Sequence, residues 1–257
     1  MSDLHWKTAI TKIAPNEVRL RGYRIDELMG RITFSQGIWL ALTGELPSAA
    51  LGKLLDAVLL SSLDHGATPP SALAAITAAT TGAPINAAIA SGVLAINAHH
   101  GGAIENCMRT LQTGLERMRS EGLTAAQAAG KIVADAKAAK QRLSGFGHRI
   151  HTDDPRTPRL IALAREAAID MAAVDLLLAI EAVFRAAGKP LPINVDGAIA
   201  AILVALGVDP RLSNAFFIMA RVPGMVAHVH EEWQRQRPMR PVHPTDHEYD
   251  GPPDRSL

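Results

Sequence analysis

Apolar residues recur along most of this chain with the three-to-four spacing of helices and almost nowhere with the alternation of strands. After a start signal at Pro47 and Ser48, Leu51, Leu54, Leu55, Val58 and Leu59 share one face and predict a helix ending near 64–66. Pro69 and Pro70 mark a turn; the pattern then predicts helices over 71–81 and 84–98, parted by Gly82. Gly101 and Gly102 break the chain again, and helices are expected over 103–119 and 124–143. The polar stretch 144–158, with two glycines and two prolines, reads as a loop. Beyond it the spacing predicts one long helix over 159–187, stopped by Gly188, Pro190 and Pro192. Asn194 is a candidate N-cap for a helix over 194–206. Asp209 and Pro210 open a last helical region to 235, which Pro223 and Gly224 could bend. Residues 1–36 read as irregular, with 16–24 (NEVRLRGYR) suited to a short hairpin or an extended arm, and the tail from Pro238 reads as extended.

Composition points to the same all-α class. Aromatic residues make up only 4% of the chain, so the helices must pack largely through Ala, Leu and Ile. At 257 residues and 48% hydrophobic, the chain can bury one large domain or two unequal ones. Its 26 basic and 25 acidic residues give no broad basic face for nucleic acid, so a phosphate-bearing ligand would have to meet a few local cations. The single cysteine, Cys107, excludes an internal disulfide framework and fits a reducing, cytoplasmic setting. No Cys motif surrounds it, so it reads as a buried spectator thiol rather than a nucleophile. The first ten residues lack the basic-then-apolar pattern of a signal peptide, and no uninterrupted apolar run is long enough to suggest a membrane span.

Polar chemistry gathers at four helix boundaries: DHG at 64–66, HHGG at 99–102, GFGHR at 145–149 with DPR at 154–156, and NVDG at 194–197. Helix boundaries leave backbone N–H groups free to meet an anion or a carbonyl oxygen. Each segment also has a bland reading. A histidine there can be a cap, Arg156 a surface ion-pair residue, Gly145 and Gly147 a turn, and Asp196 a first-turn charge contributing ~0.5 kcal/mol. No metal site is expected. Adjacent His99 and His100 do not share a helix face, and His228 and His230, two apart, diverge on a helix.

The order and wording of these segments resemble the citrate synthase superfamily. GFGHRI followed by DPR is similar to that family's GFGHRV and DPR, NVDGAIAAIL to its aspartate segment, and HHGGAIE to its HGGANE. RGYRIDEL and TFSQGIWLALTGELPS at the front, and ARVPGMVAHVHEE, RPMRP and EYDGP at the back, continue the likeness over nearly the whole chain. The stretch between GELP and HHGG is shorter than in a typical citrate synthase. In wording it is closer to the citryl-CoA lyase module of ATP-citrate lyase, although that module lacks a histidine before its paired glycines, which this chain keeps as His100.

The resemblance implies a large helical domain, 1–144 with 216–257, a small helical domain, 145–215, and an active site in the cleft between them. It implies a homodimer and three catalytic groups: His100 donating to an enolate oxygen, His148 as acid and base at the hydroxyl or keto oxygen, and Asp196 as acid and base at the acetyl carbon. Arg156, Arg221, Arg240 and His65 match substrate-binding positions, with Arg240 reaching a neighbouring subunit's site. Lys140 and Arg142 are candidates for the coenzyme A phosphates, with solvent-exposed helix charges as the alternative. No permanently bound cofactor is implied; the coenzyme A thioester is a substrate. The expected function is cleavage of a 3-hydroxy-3-carboxyacyl-CoA to acetyl-CoA and a 2-oxo acid such as oxaloacetate. A compact condensing enzyme running the reverse is the alternative. A non-catalytic acyl-CoA-binding helical dimer is the alternative of another class, disfavoured by the retention of His100, His148 and Asp196 together.

Overall fold

The computed structural model describes residues 6–147, 154–240, 248, 250–251, 253 and 255–256. Three short strands open the described chain: β1 (Thr11–Ala14), β2 (Glu17–Leu20) and β3 (Tyr23–Arg24), paired antiparallel in that order. Asn16 turns β1 into β2 with a positive φ of 61°, and Arg21 and Gly22, at 50° and 91°, turn β2 into β3. The hairpin reading of 16–24 thus holds, and β1 extends it.

Eleven α-helices follow among the described residues. They are α1 (Ile25–Leu28), α2 (Phe34–Thr43), α3 (Ala49–Ser61), α4 (Pro70–Thr80), α5 (Ile85–Leu94), α6 (Ala103–Glu121), α7 (Ala125–Ala138), α8 (Arg156–Glu166), α9 (Ala172–Ala186), α10 (Val195–Ala205) and α11 (Ser213–Arg235). The expected starts at Ser48, Thr124 and Asn194 each carry a side-chain cap, and Thr33, in a stretch expected to be irregular, caps α2 likewise; Thr33 with Gln36 and Thr124 with Gln127 form complete capping boxes.

Four expectations need correction, the first being the helix expected over 84–98, which ends at Leu94. Residues 1–36 are not irregular throughout, since they hold the sheet, α1 and the first turn of α2. The helix begun at Thr124 ends at Ala138 rather than 143, because Lys140 turns left-handed and Gln141 N–H closes back on the Ala136 carbonyl at 2.9 Å. The long helix expected over 159–187 is two, α8 and α9. Ala168 takes a φ of 52°, its neighbour Ile169 donates back to Ala164, and Asp170 accepts the N–H of Ala172, closing one helix and opening the next without Gly or Pro. Ile169 and Met171 pack against the core, and that burial is what makes the break worth a left-handed alanine.

The chain divides into two compact units, Met1–Asp64 with Ile96–Arg221, and His65–Ala95 with Val222–Leu257. In the first unit α10 is the central helix, packed on α6, α8 and α9, with Ala200, Ala201, Ile202 and Leu203 fully buried. Burying each large aliphatic side chain there contributes roughly 1.5–3 kcal/mol relative to exposure. In the second unit α4 pairs with α5, and Ala75, Ala79 and Ala88 pack with Met225 and Val229 from the later part of α11. Backbone N–H groups of Met239 and Arg240 donate to the Thr80 carbonyl and hydroxyl, at 2.7 and 2.8 Å.

By length and composition alone Pro210–Arg235 could pass for a membrane span, but 44% of its apolar window is buried within the protein. It also carries a buried arginine, Arg221, and is best read as a core helix.

Candidate active site

Within the first unit the structure brings His100, Asp196, Arg156 and Arg221 into one electrostatic neighbourhood. The Arg221 guanidinium acts on both His100 and Asp196, and Arg156 acts on Asp196 and Arg221.

The two arginines are held by the same feature. Helix α3 ends at Ser61 and Ser62, whose carbonyls have no helical partner. Arg156 donates from Nη1 to the Ser61 carbonyl at 3.1 Å, and Arg221 from Nε to the Ser62 carbonyl at 2.9 Å. A helix C-terminus carries partial negative charge, so it suits two guanidinium groups. Arg156 is further fixed by Asp154, which takes Nε at 2.9 Å and Nη2 at 2.8 Å in a planar fork while also accepting the Arg156 backbone N–H. Asp154 is only 3% exposed. It is the acid of the DPR triplet, and it was missed as an anchor because a carboxylate two residues before an arginine looks like a surface pair.

His100 sits in a tight turn. It exchanges backbone hydrogen bonds with Asn97 at 2.8 and 2.9 Å, and Gly102 N–H adds a third to the Asn97 carbonyl. Gly101, at φ +97°, lies so close to α11 that a Cβ would come within 2.8 Å of Asn214 Oδ1 and 3.1 Å of a Phe217 ring carbon. The paired glycines therefore let the histidine turn press against α11. The His100 ring meets Phe217 edge to face, with centroids 5.6 Å apart, and the Arg221 guanidinium lies over the Phe217 ring at 4.8 Å. Phe217, one helical turn before Arg221, was not singled out from the sequence. Burial lowers the His100 pKa, and the Arg221 charge lowers it further, so the imidazole stays neutral and keeps one N–H to donate.

Asp196 is in the first turn of α10. Burial raises its pKa, and the charge of Asp154 adds to this, against the opposing pull of Arg156 and Arg221. Beside it lies Cys107, whose thiol is fully buried and pushed up to about 12 by burial and by the Asp196 charge. The thiol is therefore inert, and its sulfur packs under Gly145, where an added Cβ would come within 2.7 Å.

Residues 145–147 are sewn to the start of α10. Phe146 bridges Ile193, Gly147 N–H donates to the Pro192 carbonyl at 2.7 Å, and Asn194 N–H donates to the Gly145 carbonyl at 3.0 Å. His148 lies outside the described residues, so the structure carries no statement about it. His65 and Arg240 belong to the second unit. His65 is exposed between α3 and α4, and Arg240 is ion-paired with the buried Glu232 of its own chain. Lys140 and Arg142 are exposed in the first unit just beyond α7. Among the described residues no group of three His, Cys, Asp or Glu side chains is placed to hold a metal ion.

Comparison with known proteins agrees with the helical fold. The family model "Citrate synthase, C-terminal domain" matches residues 49–242. The citryl-CoA lyase of Hydrogenobacter thermophilus superposes with a TM-score of 0.87, is 41% identical, and the match covers 98% of this chain and 97% of that one. The citrate synthase of Haloferax volcanii is 31% identical over 205 residues, 78% of this chain and 52% of that protein, so the chain spans about half the length of such curated relatives. The ATP citrate lyase of Methanothrix soehngenii, solved in complex with citrate and coenzyme A, shares the fold with a TM-score of 0.82 at 23% identity over 98% of this chain and 42% of that one.

Proposed function

The chain belongs to the citrate synthase family, and from that premise we propose that it is a citryl-CoA lyase-type enzyme, cleaving a 3-hydroxy-3-carboxyacyl-CoA to acetyl-CoA and a 2-oxo acid such as oxaloacetate. The observation that carries the reading is the buried Arg221 bearing on both His100 and Asp196, while the likeness to a citryl-CoA lyase runs the length of both chains.

The chemistry follows from the protonation states. His148 takes the proton of the substrate hydroxyl. The carbon–carbon bond breaks, the hydroxyl carbon becomes the keto carbon of the oxo acid, and the bond pair moves onto the thioester as an enolate. Neutral His100 donates a hydrogen bond to the enolate oxygen, in a site where a fixed donor is worth far more than water. Asp196, favoured in its protonated form by burial, gives its proton to the enolate carbon and yields acetyl-CoA. Arg156, Arg221, Arg240 and His65 hold the substrate carboxylates, and Lys140 and Arg142 meet the coenzyme A phosphates. The protein works as a cytoplasmic homodimer, with Arg240 offered to the neighbouring subunit.

The likeness to the Haloferax volcanii citrate synthase and the retained His100 support a second reading, condensation of acetyl-CoA with the oxo acid through the same groups in reverse. Purified protein given citryl-CoA, with oxaloacetate followed by its enzymatic reduction, tests the first. Rapid release of oxaloacetate and acetyl-CoA without free citrate supports the lyase. Release of citrate and coenzyme A from acetyl-CoA plus oxaloacetate, with no cleavage of citryl-CoA to oxaloacetate, refutes it in favour of the synthase.

A further inference from the structure

We propose that Asn194 is a positioning residue whose one carboxamide locks residues 145–147, which precede His148 in the chain, onto the helix that carries Asp196, and that carbon–carbon cleavage depends on this joint. The catalytic half of this inference rests on the roles proposed above for His148 and Asp196.

The argument starts from the amide itself. An N-cap needs only an acceptor, and Asp, Ser, Thr and Asn all supply one. Asn194 does supply it, its Oδ1 accepting the Gly197 N–H at 3.1 Å. Only a carboxamide offers a donor from the same planar group. The structure uses that second half, since Nδ2 donates to the Gly147 carbonyl at 2.8 Å. The Asn194 main chain joins in, with its N–H on the Gly145 carbonyl at 3.0 Å. One residue therefore bonds to Gly145, Gly147 and Gly197, the first two just before His148 and the last just after Asp196.

The surroundings leave the joint little play. A Cβ on Gly197 would sit 2.4 Å from the Gly145 carbonyl oxygen, and one on Gly145 would sit 2.9 Å from the Gly197 Cα, so the two backbones are in direct contact. Thr157, from the first turn of α8, is buried and donates to the Ile193 carbonyl at 3.1 Å, holding the other strand of the bridge from behind. The carboxamide spans from the loop to the helix start. Its donor half has no part in capping, and its effect is on position: a misplacement of about 1 Å between reacting groups costs on the order of 10²-fold in rate.

Asn194→Asp keeps the cap acceptor and loses the donor, Asn194→Ser keeps the acceptor on a side chain whose single oxygen cannot cap Gly197 and reach the Gly147 carbonyl together, and Asn194→Ala loses both. Citryl-CoA cleavage, thermal unfolding and hydrogen exchange of the peptide spanning 143–147 are measured on the full chain for each. We expect kcat to fall on the order of 10²-fold in all three, with KM changed by less than about threefold. The melting temperature should stay near wild type in Ser and Asp and drop in Ala, and exchange at 145–147 should quicken in all three. Wild-type kcat and wild-type exchange in the Ser and Asp variants, with Ala altered only in melting temperature, would overturn the proposal and leave Asn194 a cap. An inactive wild type overturns the lyase reading and the catalytic half with it, while the exchange data still decide the tie itself.

Discussion

Replacing Gly197 with alanine puts one methyl group into the joint between the loop at 145–147 and α10. The added Cβ would lie 2.4 Å from the Gly145 carbonyl oxygen and 3.1 Å from its carbon, whereas ordinary contact begins at 3.4 Å. Backbone on both sides means that no flexible side chain can yield, so the loop must retreat by about 1 Å. Overpacking of this kind costs about 1–3 kcal/mol. Gly197 lies inside α10, where alanine is favoured over glycine by about 1 kcal/mol. The two effects oppose, leaving a net loss of about 0–2 kcal/mol, or a melting temperature lower by at most about 4–8 °C at the 2–4 °C per kcal/mol expected for a chain of this size. Stability therefore moves little, whereas activity should move a great deal, since the same 1 Å is worth on the order of 10²-fold in the chemical step. Scanning calorimetry and citryl-CoA cleavage on the same preparation read the two effects. Gly197→Ala with wild-type kcat and an unchanged melting temperature would refute the claim that this contact sets the site.

Three further outcomes follow from the charges. Arg221 lowers the pKa values of both His100 and Asp196. Arg221→Met should therefore shift both limbs of the kcat/KM pH profile to higher pH and raise KM, and a profile unmoved in position would show that Arg221 does not face them. Because burial raises the Asp196 pKa above the ordinary carboxylate value of 3.8, its ionised form opposes folding: the stability tied to its protonated form is complete below 3.8 and is lost as pH rises through the folded value. Asp196→Asn should thus be at least as stable as wild type at pH 7, with the advantage vanishing below pH 3.8; denaturant unfolding at both pH values checks this, and a less stable variant at pH 7 contradicts it. Arg240→Ala strips the partner from Glu232, which is 3% exposed, but the arginine side chain is 47% exposed and water can enter. A loss of about 1 kcal/mol, the low end for an orphaned buried group, should appear as a melting temperature lower by about 2–4 °C. An unchanged melting temperature would mean the pair contributes nothing.

Caps and breakers made most helices readable before any coordinates: Thr124, Ser48 and Asn194 announce their helices by chemistry that acts within three residues. The division between α8 and α9 was not readable, because the break at Ala168 is stabilised by burying Ile169 and Met171 against a core assembled from distant segments. The same distinction runs through the site. His100 and Asp196 stand out through the wording of their segments, and the structure places both within reach of Arg221. Asp154 stands in DPR but its motif does not tell its role, and Phe217 stands in no motif; one is defined by the fork it makes with Arg156 and the other by lying between an imidazole and a guanidinium. The carbonyls of Ser61 and Ser62 are backbone groups, and which arginines they hold is decided by tertiary packing alone.

The most direct measurement is the rate of citryl-CoA cleavage by wild type and by Asp196→Asn, made side by side on folded protein. With Asp196 delivering the proton to the acetyl carbon, the wild type should release oxaloacetate and acetyl-CoA, and the variant should be slower by about 10²–10⁴-fold, the range for loss of a positioned acid. Equal rates in the two proteins would contradict the account at its centre.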